Sequence, residues 1–593
     1  MQRANLDLAV IGNGSFGALI DRRARIVWSC LPAFDGDPCF CALLSPTDHD
    51  GGDFSIELED FSHSEQHYFS NTAILRTVLH DAHGGAVEVI DFAPRWKRHG
   101  RLYRPPSVVR RIRPLSGTPR IRVLARPLAD WGARVPETTW GSNHLRWLLP
   151  GFTLRLTTDV PVRFVRDALP FALTQPMELV LGVDETLTQP LPSYAQDAQQ
   201  RTAEYWREWV RYLSIPLEWQ DAVIRSAITL KLCQYEDSGA IIAAMTTSIP
   251  EAPGSSRNWD YRYCWLRDAA FVVRALNRLG ATRSMEGFLH YIFNLASNDG
   301  SLQPLYGIAM EDRLDEHEVP SLAGYRGMGP VRRGNLAWVQ KQHDVYGSVV
   351  LASTQLFFDQ RLEAPGDAAT FARLEPLGER AYALHDVPDA GLWEFRGRTS
   401  VHTYTAAMCW AACDRLAKIA QRLQLNERAM LWRQRADAIH QRVLERGWNE
   451  ELGHFTDAWG SRHLDASLLL LADIGFIDPM DPRYIATVEA IGRDLKHGDA
   501  LFRYIAPDDF GAPETSFTIC TFWYIDALAA IGRMDEARAL FESVLARRNH
   551  VGLLSEDLAF SDGEMWGNFP QTYSHVGLIT AAMRLSRNWQ DAS

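Results

Sequence analysis

The 593-residue chain has no apolar run approaching the roughly 18 residues that a membrane span requires. Its start, Met1 to Val10, lacks the basic, apolar and small-residue parts of a secretory signal, so the expected location is the cytoplasm. Basic clusters are missing as well. Against 61 Lys and Arg stand 73 Asp and Glu, for a net charge of −12, and no Lys/Arg block offers the counterion release that nucleic-acid binding needs. A nucleic-acid or membrane partner is therefore not expected, and the acidic balance reads as a solubility feature. The eight cysteines, Cys30, Cys39, Cys41, Cys233, Cys264, Cys409, Cys413 and Cys520, are scattered. Cys39-Phe-Cys41 and Cys409-x3-Cys413 have no matching second half, so buried free thiols are expected and a zinc site is not. The histidines do not cluster as ligands, and His402 and His575 read as loop or packing residues. No metal and no cofactor is expected. Ser555 lacks a Gly-x-Ser-x-Gly elbow, which argues against a serine hydrolase. Gly12-Asn-Gly14-Ser-Phe-Gly17 has glycines but no helix or βαβ context after it, so dinucleotide binding is set aside.

What the chain does have is two halves of different period. Its length suggests two large domains. Residues 1–215 carry short apolar runs cut by turn signals, such as Leu8-Ala-Val-Ile11 before Gly12 and Ala86-Val-Glu-Val-Ile90. Such spacing suggests a large antiparallel β-sandwich, with a linker at its end. Over 216–593 the period becomes helical. Twelve helix-like segments begin near Trp219, Tyr261, Thr282, Asp344, Asp367, Thr403, Glu427, Asp465, Arg483, Thr515, Asp535 and Thr572. That number in antiparallel succession suits a double ring of six inner and six outer helices. Most even-numbered helices follow aromatic-rich or charged loops, and most odd ones follow short or plain connections. Loops gathered at one end of a rigid scaffold are where a site is built.

The chain holds 19 tryptophans, which stack on sugar rings, stack on bases or fill cores, so their number alone does not choose. The loops say more. Hydrolysis of a glycosidic bond needs two carboxyl groups flanking it, one protonated and one ionised. Glu394 lies in Leu392-Trp-Glu-Phe395, where aromatic neighbours would favour a protonated acid. The plain alternative is a loop carboxylate paired with Arg396 or Arg398. For the ionised partner, Glu556 in Leu553-Leu-Ser-Glu-Asp557 competes with Asp557, Glu564 and Glu514, any of which could instead be a solvated loop acid. Trp259-Asp-Tyr-Arg-Tyr-Cys-Trp-Leu-Arg-Asp268 is dense in sugar-binding types. Arg267 and Asp268 can donate to and accept from vicinal hydroxyls, and Trp259, Tyr261 and Trp265 offer apolar platforms. At helical spacing Tyr261 shares a face with Trp265, and Trp265 with Asp268. The alternative there is a helix start with a buried ion pair and core aromatics.

These stretches, with Gly324-Tyr-Arg-Gly327, Asp344-Val-Tyr-Gly347, Trp393 beside Glu394, and Gly567-Asn-Phe-Pro-Gln571, closely resemble glycoside hydrolase family 15, the family of glucoamylases and bacterial trehalases. Ile11-Gly-Asn-Gly-Ser-Phe-Gly-Ala-Leu-Ile-Asp21 and Cys30-Leu-Pro-x-Phe34 resemble the trehalase-like N-terminal domain of bacterial members, so the likeness covers nearly the whole chain. The resemblance implies an (α/α)6 barrel behind the β-sandwich and hydrolysis of α-glucosides with inversion. It implies Glu394 as general acid and Glu556 as general base. Arg267 and Asp268 would hold the hydroxyls of the non-reducing glucose, with Tyr261 near the catalytic centre and Tyr325 and Arg326 on a loop of the sugar site. The implied partner is a small α-glucoside: trehalose first, then short α-1,4 or α-1,6 glucosides. Raw starch is not expected, since no starch-binding module is evident. An inverting disaccharide phosphorylase and a non-catalytic sugar-binding protein are the remoter readings, and the presence of both carboxylates weighs against each. Ser555-Glu-Asp557 stands where bacterial relatives often have Ser-Glu-Glu, and Gln571-Thr-Tyr-Ser-His575 where they often have Gln-Ala-Phe-Ser-His.

Overall fold

The computed structural model describes residues 4–45, 51–295 and 300–592. Its N-terminal part is antiparallel β-sheet. One sheet runs in the order Leu8–Gly12, Gly17–Asp21, Ile26–Cys30, Asp53–Leu58, Arg120–Arg126 and Phe171–Ala172, with Pro38–Phe40 also paired to Ile26–Cys30. The other runs Glu137–Trp140, His144–Leu149, Phe152–Thr158, Met177–Val183, Ser107–Ser116, Ala86–Phe92, Leu75–Asp81 and Phe61–Tyr68. Val123 and Ile121 alternate with exposed Arg120 and Arg122, the period-two signature of a strand with one wet face. Leu8–Gly12 is buried throughout, because its other face meets the helical part of the chain. A long helix, Leu191–Arg211, follows the last long strand and presents Tyr194, Ala198, Thr202, Trp206 and Val210 on its buried stripe.

Twelve helical segments follow among the described residues: α1 Gln220–Leu232, α2 Leu266–Arg278, α3 Thr282–Leu295, α4 Asp344–Phe358, α5 Ala368–Leu384, α6 Thr403–Arg422, α7 Asn426–Gly447, α8 Leu470–Asp473, α9 Pro482–Asp494, α10 Thr518–Ala530, α11 Met534–Leu545 and α12 Thr572–Leu585. The short α8 is led in by a 3-10 turn, Ala466–Leu469, capped by the Asp465 side chain. The even-numbered helices pack each on the next, α2 on α4, α4 on α6, α6 on α8, α8 on α10, α10 on α12 and α12 back on α2, closing a ring. Each odd-numbered helix packs on the outside of that ring. The ring helix α10 is accordingly buried nearly all round: the eight consecutive residues Thr518 to Ile525 are buried, as are Ala527 and Leu528 beyond half-buried Asp526. Connections into α3, α7 and α11 are the tight turns 279–281, 423–425 and 531–533, whereas those into α2, α4, α6, α10 and α12 are long. The long loops therefore collect at one end.

One boundary differs from the expectation. The segment expected to turn helical near Tyr261 stays extended through Trp265, because Cys264 and Trp265 pair with Tyr306 and Leu305 before α2 begins.

Candidate active site

The loops before α2, α4, α6, α10 and α12 enclose a pocket with about 830 Å³ of atom-free space, mouth included. Eight of the ten residues singled out in the sequence line it: Trp259, Tyr261, Trp265, Arg267, Asp268, Trp393, Glu394 and Glu556. Its floor, with Arg267, Asp268, Gln571 and Tyr573, is buried, and its rim, with Arg396, Asp509 and Phe510, is exposed.

Glu394 sits on a tight turn in which Gly391 and Glu394 both adopt left-handed backbone, with φ of +69° and +62°. The Glu394 and Phe395 amides donate back to Gly391 and Ala390. That turn aims the carboxylate inward. Its Oε1 accepts from the Trp265 indole at 2.6 Å, from Gln342 at 3.3 Å and from Arg267 at 3.4 Å. Arg396 and Arg398 are engaged elsewhere, the first with Glu316 at 2.8 Å and the second over the Phe395 ring, so the pairing weighed against a catalytic role is absent.

Glu556 is buried beneath the Tyr261 hydroxyl. Its Oε2 accepts the Asn568 amide at 3.2 Å, and Oε1 has no hydrogen bond of its own. Burial raises its carboxyl well above the usual range, and the charge of Glu251 adds to this; Tyr261 and the Asn568 amide pull the other way. Tyr261 and Trp265 meet edge to face at 5.4 Å, so one aromatic pair links the surroundings of the two carboxylates. Among the rivals for the base, Glu514 is exposed and Glu564 pairs with Arg326 at 2.6 Å. Asp557 is buried next to Glu556. His575 steadies this segment: its Nε2 accepts the Leu554 amide, its Nδ1 meets the Ser226 hydroxyl, and burial holds its pKa down to about 3.

Arg267 donates to Gln342 at 2.8 Å and lies 3.4 Å from Asp344. Its Nε and the Oδ2 of Asp268 are buried without a hydrogen-bonding partner, as are Gln571 Oε1 and the Tyr573 hydroxyl. Burial pushes Asp268 up to about 7, with Glu394 adding to the shift and Arg267 opposing it. The ion pair that the plain reading foresaw in this motif also exists, one step back: Asp260 and Arg262 form a fully buried bidentate pair, and Arg262 reaches the Gly36 carbonyl of the sheet domain.

Tyr325 and Arg326 do not line the pocket. The Arg326 side chain donates to the Ala4 carbonyl at 2.5 Å and pairs with Glu564, and Tyr325 is buried edge-on against Trp566. Their loop ties the N-terminal segment to the strand pair after Glu556. Several pocket residues had no signal in the reading of the sequence, Glu251 and Arg503 among them. Arg503 grips Glu251 through two hydrogen bonds of 3.2 and 2.5 Å, and carboxylate oxygens of Glu251, Glu556 and Asp557 lie within 4.8 Å of one another.

Comparison with known proteins identifies the family. Residues 219–583 match the family model of the glycosyl hydrolases family 15, and residues 4–146 that of the trehalase-like N-terminal domain. A trehalase of Thermoplasma volcanium is 32% identical over 97% of this chain and 92% of its own length. A trehalase of Mycobacterium tuberculosis is 33% identical over 99% of this chain and 90% of its own. A crystal structure of a bacterial glucoamylase complexed with acarbose superimposes with a TM-score of 0.70, covering 98% of this chain and 94% of that one at 14% identity, a likeness of fold. The chain belongs to glycosyl hydrolase family 15 and is a glycoside hydrolase.

Proposed function

We propose that the enzyme hydrolyses α,α-trehalose with inversion at one anomeric carbon. In this mechanism Glu394 protonates the glycosidic oxygen, while Glu556 takes a proton from a water that attacks the opposite face of the sugar. Arg267 and Asp268 hold hydroxyls of the glucose being cleaved, and Trp259, Tyr261, Trp265 and Trp393 wall it. One half leaves as β-glucose and the other keeps its α configuration. The observation that carries the reading is the set of buried polar atoms without a hydrogen bond in the pocket of Glu394 and Glu556: Arg267 Nε and Asp268 Oδ2, which face each other as an ion pair at 3.7 Å, with Gln571 Oε1 and the Tyr573 hydroxyl. Leaving such buried groups without hydrogen bonds is costly, and a polyhydroxylated ligand supplies both the donors and the acceptors they lack. The trehalase relatives, matched over nearly the full chain, support trehalose as substrate.

The fold likeness to a glucoamylase keeps short α-1,4 and α-1,6 glucosides as the second reading. Comparing kcat/KM for trehalose, maltose and isomaltose in phosphate-free buffer separates the two. The highest value for trehalose upholds the first reading, and a higher value for maltose or isomaltose replaces it with the second.

The same reading takes residues 1–215 as a β-sandwich with its linker and 216–593 as an (α/α)6 barrel. Support comes from the apolar residues of both sheets sharing one core and from the closed ring of even-numbered helices. Among the described residues no helix is long and apolar enough to cross a membrane. Eight buried, unpaired cysteines support a cytoplasmic, reducing compartment.

A further inference from the structure

Glu251, Glu556 and Asp557 are all buried, their carboxylate oxygens lie within 4.8 Å of one another, and among the described residues one guanidinium, Arg503, hydrogen-bonds to the group, through Glu251. Three negative charges at that spacing against one positive charge are not sustained in a buried site, so the cluster retains a proton. Hydrogen-bond geometry says where. The Thr515 hydroxyl has one hydrogen and two acceptors at 3.0 Å, the Glu251 carbonyl oxygen and Asp557 Oδ1. Among the described residues the Glu251 carbonyl meets no other donor, and Asp557 Oδ2 has no partner. One hydroxyl hydrogen cannot satisfy both acceptors. A second hydrogen on Asp557 does, because Oδ1–H then donates to Thr515 and leaves the Thr515 hydrogen for the carbonyl.

We propose that Asp557 is a positioning residue that keeps its proton through the working pH range, donating to Thr515, so that Glu556 is the carboxylate of the cluster that ionises and accepts the proton from water. Burial, with the charges of Glu251 and Glu556, pushes Asp557 in the same direction. The groups facing Glu556 are then Glu251 with Arg503, neutral Asp557, the Tyr261 hydroxyl and, across the pocket, Glu394. The role rests on Glu556 being the base, but the carboxyl measurement below does not depend on turnover.

The test compares the acid limb of kcat/KM in wild type, D557N and E251Q. An amide mimics a neutral acid, so the D557N limb should stay within about 0.3 pH unit of wild type. E251Q removes a true negative neighbour and should move the limb down by about one unit or more. A D557N limb that moves down as far as that of E251Q shows that Asp557 was charged and overturns the proposal. If D557N does not fold, 13C-aspartate labelling decides. The Asp557 carboxyl resonance, assigned by its loss in D557E, should hold its protonated position from about pH 5 to pH 8, and a resonance that titrates within that range overturns the proposal.

Discussion

Glu394 is held on left-handed backbone that costs a non-glycine residue about 1–2 kcal/mol. Such strain persists only where the surroundings impose it, and here the Trp265 indole and the Arg267 guanidinium do so by gripping the carboxylate. If Glu394 is the acid, Glu394→Gln should lower kcat on trehalose by about 10²–10⁴-fold and spare α-glucosyl fluoride, whose leaving group needs no proton. Equal losses on both substrates would make the residue a binding group. If Glu556 is the base, Glu556→Gln should lose activity on both substrates by a similar factor, about 10²–10⁴. The pH dependence follows from the same residue. A base works only when ionised, and burial with Glu251 raises the point at which Glu556 ionises. The acid limb of kcat/KM should therefore lie well above the ordinary range of a glutamate, with activity lost as pH falls through it; a limb near pH 4, about the model-peptide value, would contradict this. Both carboxylates were legible as pocket residues because each stands in a motif of aromatic or family-matching neighbours. Glu251 and Arg503 were not. They lie in the plain stretches Pro250-Glu-Ala252 and Phe502-Arg-Tyr504, and only closure of the helical ring brings them to Glu556. The family resemblance placed Tyr325 and Arg326 on a loop of the sugar site, but their side chains are used on Ala4, Trp566 and Glu564.

Among the elements, the strand pair Asp557–Leu558 and Met565–Trp566 presents Glu556. Gly567, at φ +73°, follows it, and a Cβ there would stand 2.5 Å from Glu556 Cβ and 2.7 Å from its Oε2. Gly567→Ala should therefore displace the carboxylate at a backbone cost of about 1–2 kcal/mol, seen as a fall in kcat with a smaller change in thermal stability. An unchanged kcat would show that the shift of Glu556 does not matter for turnover and would count against its role as base. Helix number and order were legible, since caps and apolar period are local signals. The stretch 261–265 was misread because its aromatic spacing fits a helix, while the pairing of Cys264 with Tyr306 is non-local. The two rings nevertheless meet, by way of an extended chain rather than a helical face.

Across the whole molecule, the sheets and the ring share a single apolar core, and polar ties cross the junction. The Trp28 indole donates to the Met245 carbonyl at 2.7 Å, and the Asn549 amide donates to the Leu6 and Leu8 carbonyls. Trp28→Ala should cost about 3–5 kcal/mol and lower one common transition in calorimetry. Two separate transitions, with only one lowered, would show that the halves melt independently. The central claim, inversion of trehalose by Glu394 and Glu556, is tested most directly by proton NMR of early product anomers, with trehalose as substrate and no phosphate added. Equal early amounts of α- and β-glucose are predicted, one from the leaving half and one from the attacked half. Early α-glucose alone would mean retention at the attacked carbon and would contradict the account.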